Sequence, residues 1–198
     1  MKGINDFIIQ IKEPFKEKFK TESGVEFYGD KRWMPQQLSN RIGIVVNVPF
    51  AFKTEIKPGH EVLVDPTILY EQDYHLTGGA QESIFLVDKA EMLFKIKPNL
   101  IVLHRENNSA PWKGHLNNGL FEQVEAAKTE PVSSFLIIQE SVQKEFEHGK
   151  ARVAIVNDEL KAEPGQVVFV KEEHGIEFFL DGKSYWWYRN EDVLAAIN

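Results

Sequence analysis

Pro58-Gly59-His60-Glu61-Val62-Leu63-Val64 recurs as Pro164-Gly165-Gln166-Val167-Val168-Phe169-Val170, and the likeness runs outward in both directions. Upstream, Ile44-Val45-Val46-Asn47 is matched by Ala154-Ile155-Val156-Asn157, and Asp6-Phe7-Ile8-Ile9-Gln10-Ile11 by Ser134-Phe135-Leu136-Ile137-Ile138-Gln139. Downstream, the stretch from Phe85-Leu86-Val87-Asp88 to Glu91-Met92-Leu93-Phe94-Lys95-Ile96 is matched by the stretch from Trp186-Trp187-Tyr188-Arg189 to Asp192-Val193-Leu194-Ala195-Ala196-Ile197. The blocks keep their order while the spacings between them change. Such a repeat decides the architecture before any single residue is weighed, because each copy has the same apolar face to bury.

Short runs rich in β-branched and aromatic residues, ended by turn formers, predict strands at 7–11, 42–48, 61–64, 83–87, 100–103, 135–139, 152–156, 167–170, 176–180 and 184–188. Asp181-Gly182 predicts a tight hairpin, and Pro58-Gly59 and Pro164-Gly165 predict turns just before a strand in each copy. Helix is scarce. The best candidate is 119–128, with Leu120, Val124 and Ala127 at helical spacing, and short helical turns are expected after Asp88 and Asn190. The fold class is all-β, with two small barrel or sandwich modules in tandem at 1–98 and 134–198. A long, partly helical linker is expected at 99–133, its end Thr129-Glu130-Pro131 resembling a hinge.

Composition narrows the function. A net charge of −7 argues against nucleic acid as the main partner, since phosphate binding is driven by clustered Lys and Arg. No run of about 18 apolar residues is present, so no transmembrane helix is expected. The start, Met1-Lys2-Gly3-Ile4-Asn5-Asp6, lacks the apolar core of a secretory signal. The absence of cysteine excludes disulfides and thiol chemistry and fits a reducing, cytoplasmic setting.

The copies differ most between their first two strands. Copy two is expected to spend only 140–150 there, copy one 12–40. Inside the longer segment Ser23-Gly24-Val25-Glu26-Phe27-Tyr28-Gly29 sets a short apolar run between two glycines, amid alternating lysines and acids. Two readings fit: a loop that orders only on a partner, or a β-hairpin insertion with Val25 and Phe27 on its own module.

These residues resemble the GroES-type co-chaperonins, the lid subunits of type I chaperonins. The likeness is best from Pro164 to Asn198, where Gly165 and Val167-Val168-Phe169 are similar to the family's V-G-D-x-V strand, and His174-Gly175 to its central glycine turn. Asp181-Gly182-Lys183-Ser184-Tyr185 resembles the approach to the last strands, and Asn190-Glu191-Asp192-Val193-Leu194-Ala195 the closing x-x-D-I-L-A. Ile56-Lys57-Pro58-Gly59 and Glu91-Met92-Leu93 carry the same marks more weakly in copy one. The long segment falls where the family has its mobile loop, and Gly24, Val25, Glu26, Phe27, Tyr28 and Gly29 match that loop as its chaperonin-binding residues. Glu26 departs from the family by replacing an apolar residue, and the roof hairpin is shortened to 48–55 and 158–163.

The resemblance implies a non-enzymatic lid, a homo-oligomer of ring type, that caps a GroEL-like type I chaperonin in its nucleotide-dependent cycle and assists protein folding. It implies no cofactor, no catalytic residue and no membrane or nucleic-acid partner. Two alternatives stand beside it. One is a structural or interaction protein, viral among other origins, that keeps the lid fold without the chaperonin; the other is a small β-barrel enzyme or ligand-binding protein. For the latter the sequence offers the aromatic cluster Tyr185-Trp186-Trp187-Tyr188, scattered acids and six histidines, with no close-spaced metal motif and no nucleophile or nucleotide fingerprint. Alternation sends Trp186 and Tyr188 to one face and Tyr185 and Trp187 to the other. Trp33 and Trp112 fall in loops, as partner contacts or as caps on the modules.

Overall fold

Alternation of apolar side chains builds the first sheet. In β1 (Phe7–Lys12) Phe7, Ile9 and Ile11 face inward, and β4 (Ile42–Asn47) contributes Val45 from the adjoining strand. β5 (Glu61–Val64) adds Val62 and Val64, β6 (Glu91–Ile96) adds Met92, Phe94 and Ile96, and β7 (Ile101–Arg105) adds Ile101. A single helical turn, α1 (Thr67–Tyr70), closes the cluster with Ile68 and Leu69. Burying a side chain of this kind contributes about 1.5–3 kcal/mol, so this unit carries its own core.

The structure is a computed structural model that describes residues 5–12, 14, 18–20, 26–28, 40–76, 91–126 and 146–197. The chain divides into two units, Met1–Asn118 and Gly119–Asn198. The first unit's sheet has the order β6-β1-β4-β5-β7-β8, where β8 is Lys113–Gly114. A separate two-stranded ribbon pairs β2 (Lys18–Lys20) with β3 (Glu26–Tyr28). The second sheet has the order β12-β13-β9-β10-β11-β14. Its strands are β9 (Asn118–Glu125), β10 (Phe146–Ile155), β11 (Val167–Val170), β12 (Ile176–Leu180), β13 (Lys183–Arg189) and β14 (Val193–Ala196). Its core is smaller, with Phe121, Ala151, Val153, Val168, Val170 and Tyr188. The protein is all-β, apart from α1 and short 3-10 turns among the described residues.

The order β6-β1-β4-β5-β7 in one sheet is reproduced as β13-β9-β10-β11-β14 in the other. The irregularities also coincide. β1 and β4 slip between Ile8↔Asn47 and Ile9↔Val45, and β9 and β10 slip between Leu120↔Ile155 and Phe121↔Val153. β5 and β7 slip between Leu63↔Leu103 and Val64↔Ile101, and β11 and β14 between Phe169↔Ala195 and Val170↔Val193. The two Pro-Gly turns match as well. Gly59, with φ at 91°, donates from its N–H to the carbonyl of Val45 at 2.8 Å; Gly165, with φ at 90°, donates to that of Val153 at 2.7 Å. Only glycine adopts such positive φ cheaply, which is why the turn is spelled the same way twice.

Several sequence expectations are corrected by the structure or lie outside the described residues. The helix expected at 119–128 is strand β9 over the residues described there, so this part of the linker is strand and not helix. Leu120 and Val124 are four apart, a spacing that serves a period of two as well as a period of 3.6, and pairing with β10 decides between them. The stretch 99–133 is built into the sheets as far as Ala126: β7 and β8 belong to the first, and β9 to the second. The strand expected at 135–139 lies outside the described residues, as does the one at 83–87. The place of a first strand in the second sheet is taken by β9. Copy two therefore does not have a short first connection. Its first two strands are separated by 126–145, the counterpart of 13–41 in copy one.

The hairpin predicted at Asp181-Gly182 is present between β12 and β13, with φ positive at both residues, 51° and 79°. The helical turn expected after Asn190 is the 3-10 turn Asn190–Asp192. The one expected after Asp88 falls outside the described residues.

Candidate functional site

The connection between β1 and β4 is rooted by residues that the fold holds firmly. Asn40 donates from its side-chain amide to the carbonyl of Lys12 at 2.7 Å and from its backbone N–H to the carbonyl of Pro14 at 2.9 Å. Its own side-chain oxygen accepts from the N–H of Ile42 at 3.2 Å. One asparagine thus joins the outgoing and returning ends of the loop to the sheet. Beside it Arg41 is buried, and desolvation pulls its guanidinium down to about 10, against the opposing pull of Asp65 and Tyr70. Gly43 lies so close to β1 that a Cβ there would sit 3.0 Å from Ile11 Cγ1. These three neighbours make a tight base for a long excursion.

Beyond the base, the backbone forms the β2–β3 ribbon, with Lys18 opposite Tyr28, Phe19 opposite Phe27 and Lys20 opposite Glu26. Of the six residues predicted to bind a chaperonin, Glu26, Phe27 and Tyr28 are consecutive in β3; Gly24, Val25 and Gly29 lie outside the described residues. Over the six paired positions the backbone is a two-stranded antiparallel ribbon. In the second unit the matching connection starts beyond Glu125, opposite which Phe146 begins β10. Sequence reasoning missed this second connection because it took the apolar run 134–139 for a first strand. The signal that finds it is the pairing of β9 with β10.

The aromatic cluster is structural on both faces. Tyr188 is 4% exposed and packs edge-on against Phe121, with centroids 5.5 Å apart. Burial raises its hydroxyl to about 12, with Glu172, Asp192 and Glu173 adding repulsion. Trp187 is buried on the opposite face, with the Arg189 guanidinium 5.9 Å from its ring centre. Gly175 of the expected glycine turn has a plain cause: a Cβ there would lie 2.5 Å from the Tyr188 hydroxyl and 2.7 Å from Trp186 Cε3. Trp112 lies half-buried beneath Arg105, whose guanidinium stands 4.2 Å above the ring and whose Nε donates to Glu61 at 2.6 Å. Trp33 lies outside the described residues.

Two histidines are buried at one end of the first unit. His104 and His115 stand edge-to-face with centroids 5.7 Å apart, and His104 Nε2 is 3.1 Å from Glu55 Oε1, at ion-pair distance but off hydrogen-bond geometry. In the second unit, His174 Nδ1 is 2.6 Å from Asp192 Oδ1, and His148 Nδ1 is 3.1 Å from Glu172 Oε1. Among the described residues no three His, Asp or Glu side chains are grouped to hold a metal ion. Two shallow clefts of about 450 and 470 Å3 open in the second unit, one around Lys171, His174 and Arg189, the other around Phe146, Lys150 and Trp186. In the first cleft Asp192 Oδ1 lies 2.6 Å from His174 Nδ1 and 3.9 Å from Lys171 Nζ. Among the described residues no helix is long and apolar enough to cross a membrane. No family model matches the chain, and no curated protein matches it.

Proposed function

We propose that the protein is a co-chaperonin of the lid type, two modules in one chain, that caps a type I chaperonin through the connection between the first and second strands of each module. One observation carries this reading. The same five-strand order, with the same two slips, holds a long connection at the same place in both sheets. Each connection carries an apolar run inside polar sequence: Val25 and Phe27 in the first, and Phe135-Leu136-Ile137-Ile138 in the second. Both follow the same tripeptide, Lys20-Thr21-Glu22 and Lys128-Thr129-Glu130.

The physics suits a releasable grip. Two apolar side chains removed from water contribute about 1.5–3 kcal/mol each, less the cost of ordering the segment. One segment therefore binds weakly, and several presented together by an oligomer bind strongly through effective concentration. The asparagine clasp at the root fixes where the first segment leaves the sheet, which shortens the search for its groove. The test is co-migration of the full chain with a type I chaperonin on size exclusion, with ATP, with ADP and without nucleotide. Nucleotide-dependent capture is expected. A chain that stays apart from the chaperonin in all three conditions overturns the reading.

A further inference from the structure

A strap covers the outer edge of β7, and two buried histidines lie beneath it. Leu103 stands opposite Gly114 and His104 opposite Lys113 where β8 pairs with β7, and the N–H of His115 then donates to the carbonyl of Val102 at 3.0 Å. Both ends of the strap carry their own turns. At one, the N–H of Ala110 donates to the carbonyl of Asn107 at 3.1 Å and that of Ser109 to the Asn107 side chain at 3.0 Å. At the other, the side-chain amide of Asn118 donates to the carbonyls of Ile101 and His115, each at 3.0 Å. The stretch between them, 112–115, is what a local opening would lift.

The sheet does not depend on this cover. None of residues 106–118 belongs to the apolar cluster at the unit's core, and in the second unit β14 takes the place of β7 with no strand on its outer edge among the described residues. What the strap adds is a set of ionisable groups. His115 is 6% and His104 4% exposed, and the Nε2 atoms of both are buried with no hydrogen-bond partner among the described residues. Phe52 closes another side of His115, edge-on at 6.4 Å. Lys113 of β8 and His60, just before β5, oppose a positive charge on His104. Glu55 favours it, but its side chain is 62% exposed and therefore screened by solvent. Glu61 is already paired with Arg105, whose Nε donates to it at 2.6 Å.

We infer that this histidine pair is an acid-operated latch: protonation of His115 and His104 lifts 112–115 from β7 and opens the outer edge of that strand while the rest of the first sheet stays folded. Two imidazolium rings with centres 5.7 Å apart repel each other, and burial makes both that repulsion and the lost hydration far more costly than in water. No acid acts on His115 directly, so the open strap, where its ring meets water, is the form that takes up the proton. The direction follows from linkage. The closed strap is favoured above 6.5, the ordinary histidine value, and loses that advantage as pH falls toward about 4. Opening presents backbone N–H and C=O groups of β7 that the strap otherwise covers.

The latch is independent of any chaperonin, and amide exchange of the full chain tests it. Protection factors are taken relative to the intrinsic rate at each pH, at residue 115 and at Val64. Val64 donates to the carbonyl of Arg41 at 3.1 Å, toward β4 and away from the strap, so it reports unfolding of the sheet and not opening of its cover. Between pH 7.5 and 5.0 the factor at residue 115 is expected to fall by about thirtyfold or more, the ratio that one proton gives when its site moves from about 4 to 6.5 on opening. The factor at Val64 should hold, and return to pH 7.5 should restore both. In His115→Phe the fall should largely vanish. In Glu55→Gln, which removes the acid that favours a charged His104, it should exceed that of wild type. A parallel fall at Val64, a factor at residue 115 that ignores pH, or an equal fall in His115→Phe each overturns the latch. Where His115→Phe does not fold, Glu55→Gln decides, and a fall no larger than that of wild type overturns it.

Discussion

The side-chain amide of Asn40 donates to the carbonyl of Lys12 at 2.7 Å and, with its backbone N–H on the carbonyl of Pro14 at 2.9 Å, joins the two ends of the β1–β4 connection. The same side chain receives the N–H of Ile42 at 3.2 Å, so replacing it removes both a donor and an acceptor. Each such bond contributes about 0.5–1.5 kcal/mol net. Asn40→Ala is expected to destabilise the first unit by about 1–2 kcal/mol. Amide exchange at Ile42 should accelerate while exchange in β11 stays unchanged. Asn40→Asp keeps the acceptor and loses the donor, and should lie between wild type and alanine; equal exchange in all three proteins would show that the clasp carries nothing.

Acid should loosen the first unit before the second. Burial lowers His115 to about 4, and the neighbouring His104 adds to that shift. His104 is also lowered by burial, with Glu55 opposing and Lys113 and His60 reinforcing. A histidine held neutral by folding binds its proton more readily when unfolded, so stability rises with pH wherever the unfolded chain carries more protons. The contribution is complete above 6.5, the ordinary histidine value, and is lost progressively as pH falls toward about 4. For His115 alone the ceiling is about 3 kcal/mol. Protection factors at the Leu103 and His104 amides, taken relative to the intrinsic exchange rate at each pH, should fall between pH 7.5 and 4.5 in wild type and much less in His115→Phe. Parallel profiles for the two proteins would exclude the histidine as the cause.

Much of the fold was legible because its turns are spelled by chemistry. Pro58-Gly59, Pro164-Gly165 and Asp181-Gly182 need positive φ, and each turn appears where the residues placed it. The strands after them followed from alternation and β-branched composition. The partner of each strand was less legible, since periodicity shows which face is buried and not which strand lies alongside. An apolar run such as Phe135-Leu136-Ile137-Ile138 reads as a strand wherever it stands, and it displaced β9 from the alignment. β9 itself was disguised by Leu120 and Val124, whose spacing fits helix and strand alike. Half of the predicted docking residues, Glu26, Phe27 and Tyr28, fall on β3; a charged residue between apolar ones suits an exposed ribbon as well as a loop.

Gly175 should tolerate no side chain. The distances from a Cβ to the Tyr188 hydroxyl and to Trp186 Cε3, 2.5 and 2.7 Å, are below any real contact, and both rings are held by the core of the second unit. Overpacking of this sort costs about 1–3 kcal/mol. Gly175→Ala is expected to lower the denaturation midpoint of the second unit and to change its near-ultraviolet circular dichroism, where Trp186 and Tyr188 report. The double variant Gly175→Ala/Tyr188→Phe removes the hydroxyl but keeps the ring Cζ, 2.6 Å from the Cβ position, and should recover only a small part of the loss. No recovery would mean that the hydroxyl is not the obstacle.

The two connections should contribute separately to chaperonin capture. Phe27→Glu places a charge in the apolar run of the first connection, and Ile137→Glu does the same in the second. Burying an unpaired carboxylate in a hydrophobic groove is far more costly than losing one apolar contact, so each variant should disable its own segment. Phe27 lies on the β2–β3 ribbon, apart from the two six-stranded sheets, and Ile137 lies outside the described residues; thermal stability of each variant is expected to stay within about 0.5 kcal/mol of wild type. With several segments acting together, one lost set weakens nucleotide-dependent capture by at least tenfold, about 1.4 kcal/mol, and loss of both sets abolishes it. Titration of labelled chain against chaperonin with ATP measures this directly. Wild-type affinity in Phe27→Glu would remove the first segment from the grip, and wild-type affinity in Ile137→Glu would restrict the grip to the first unit.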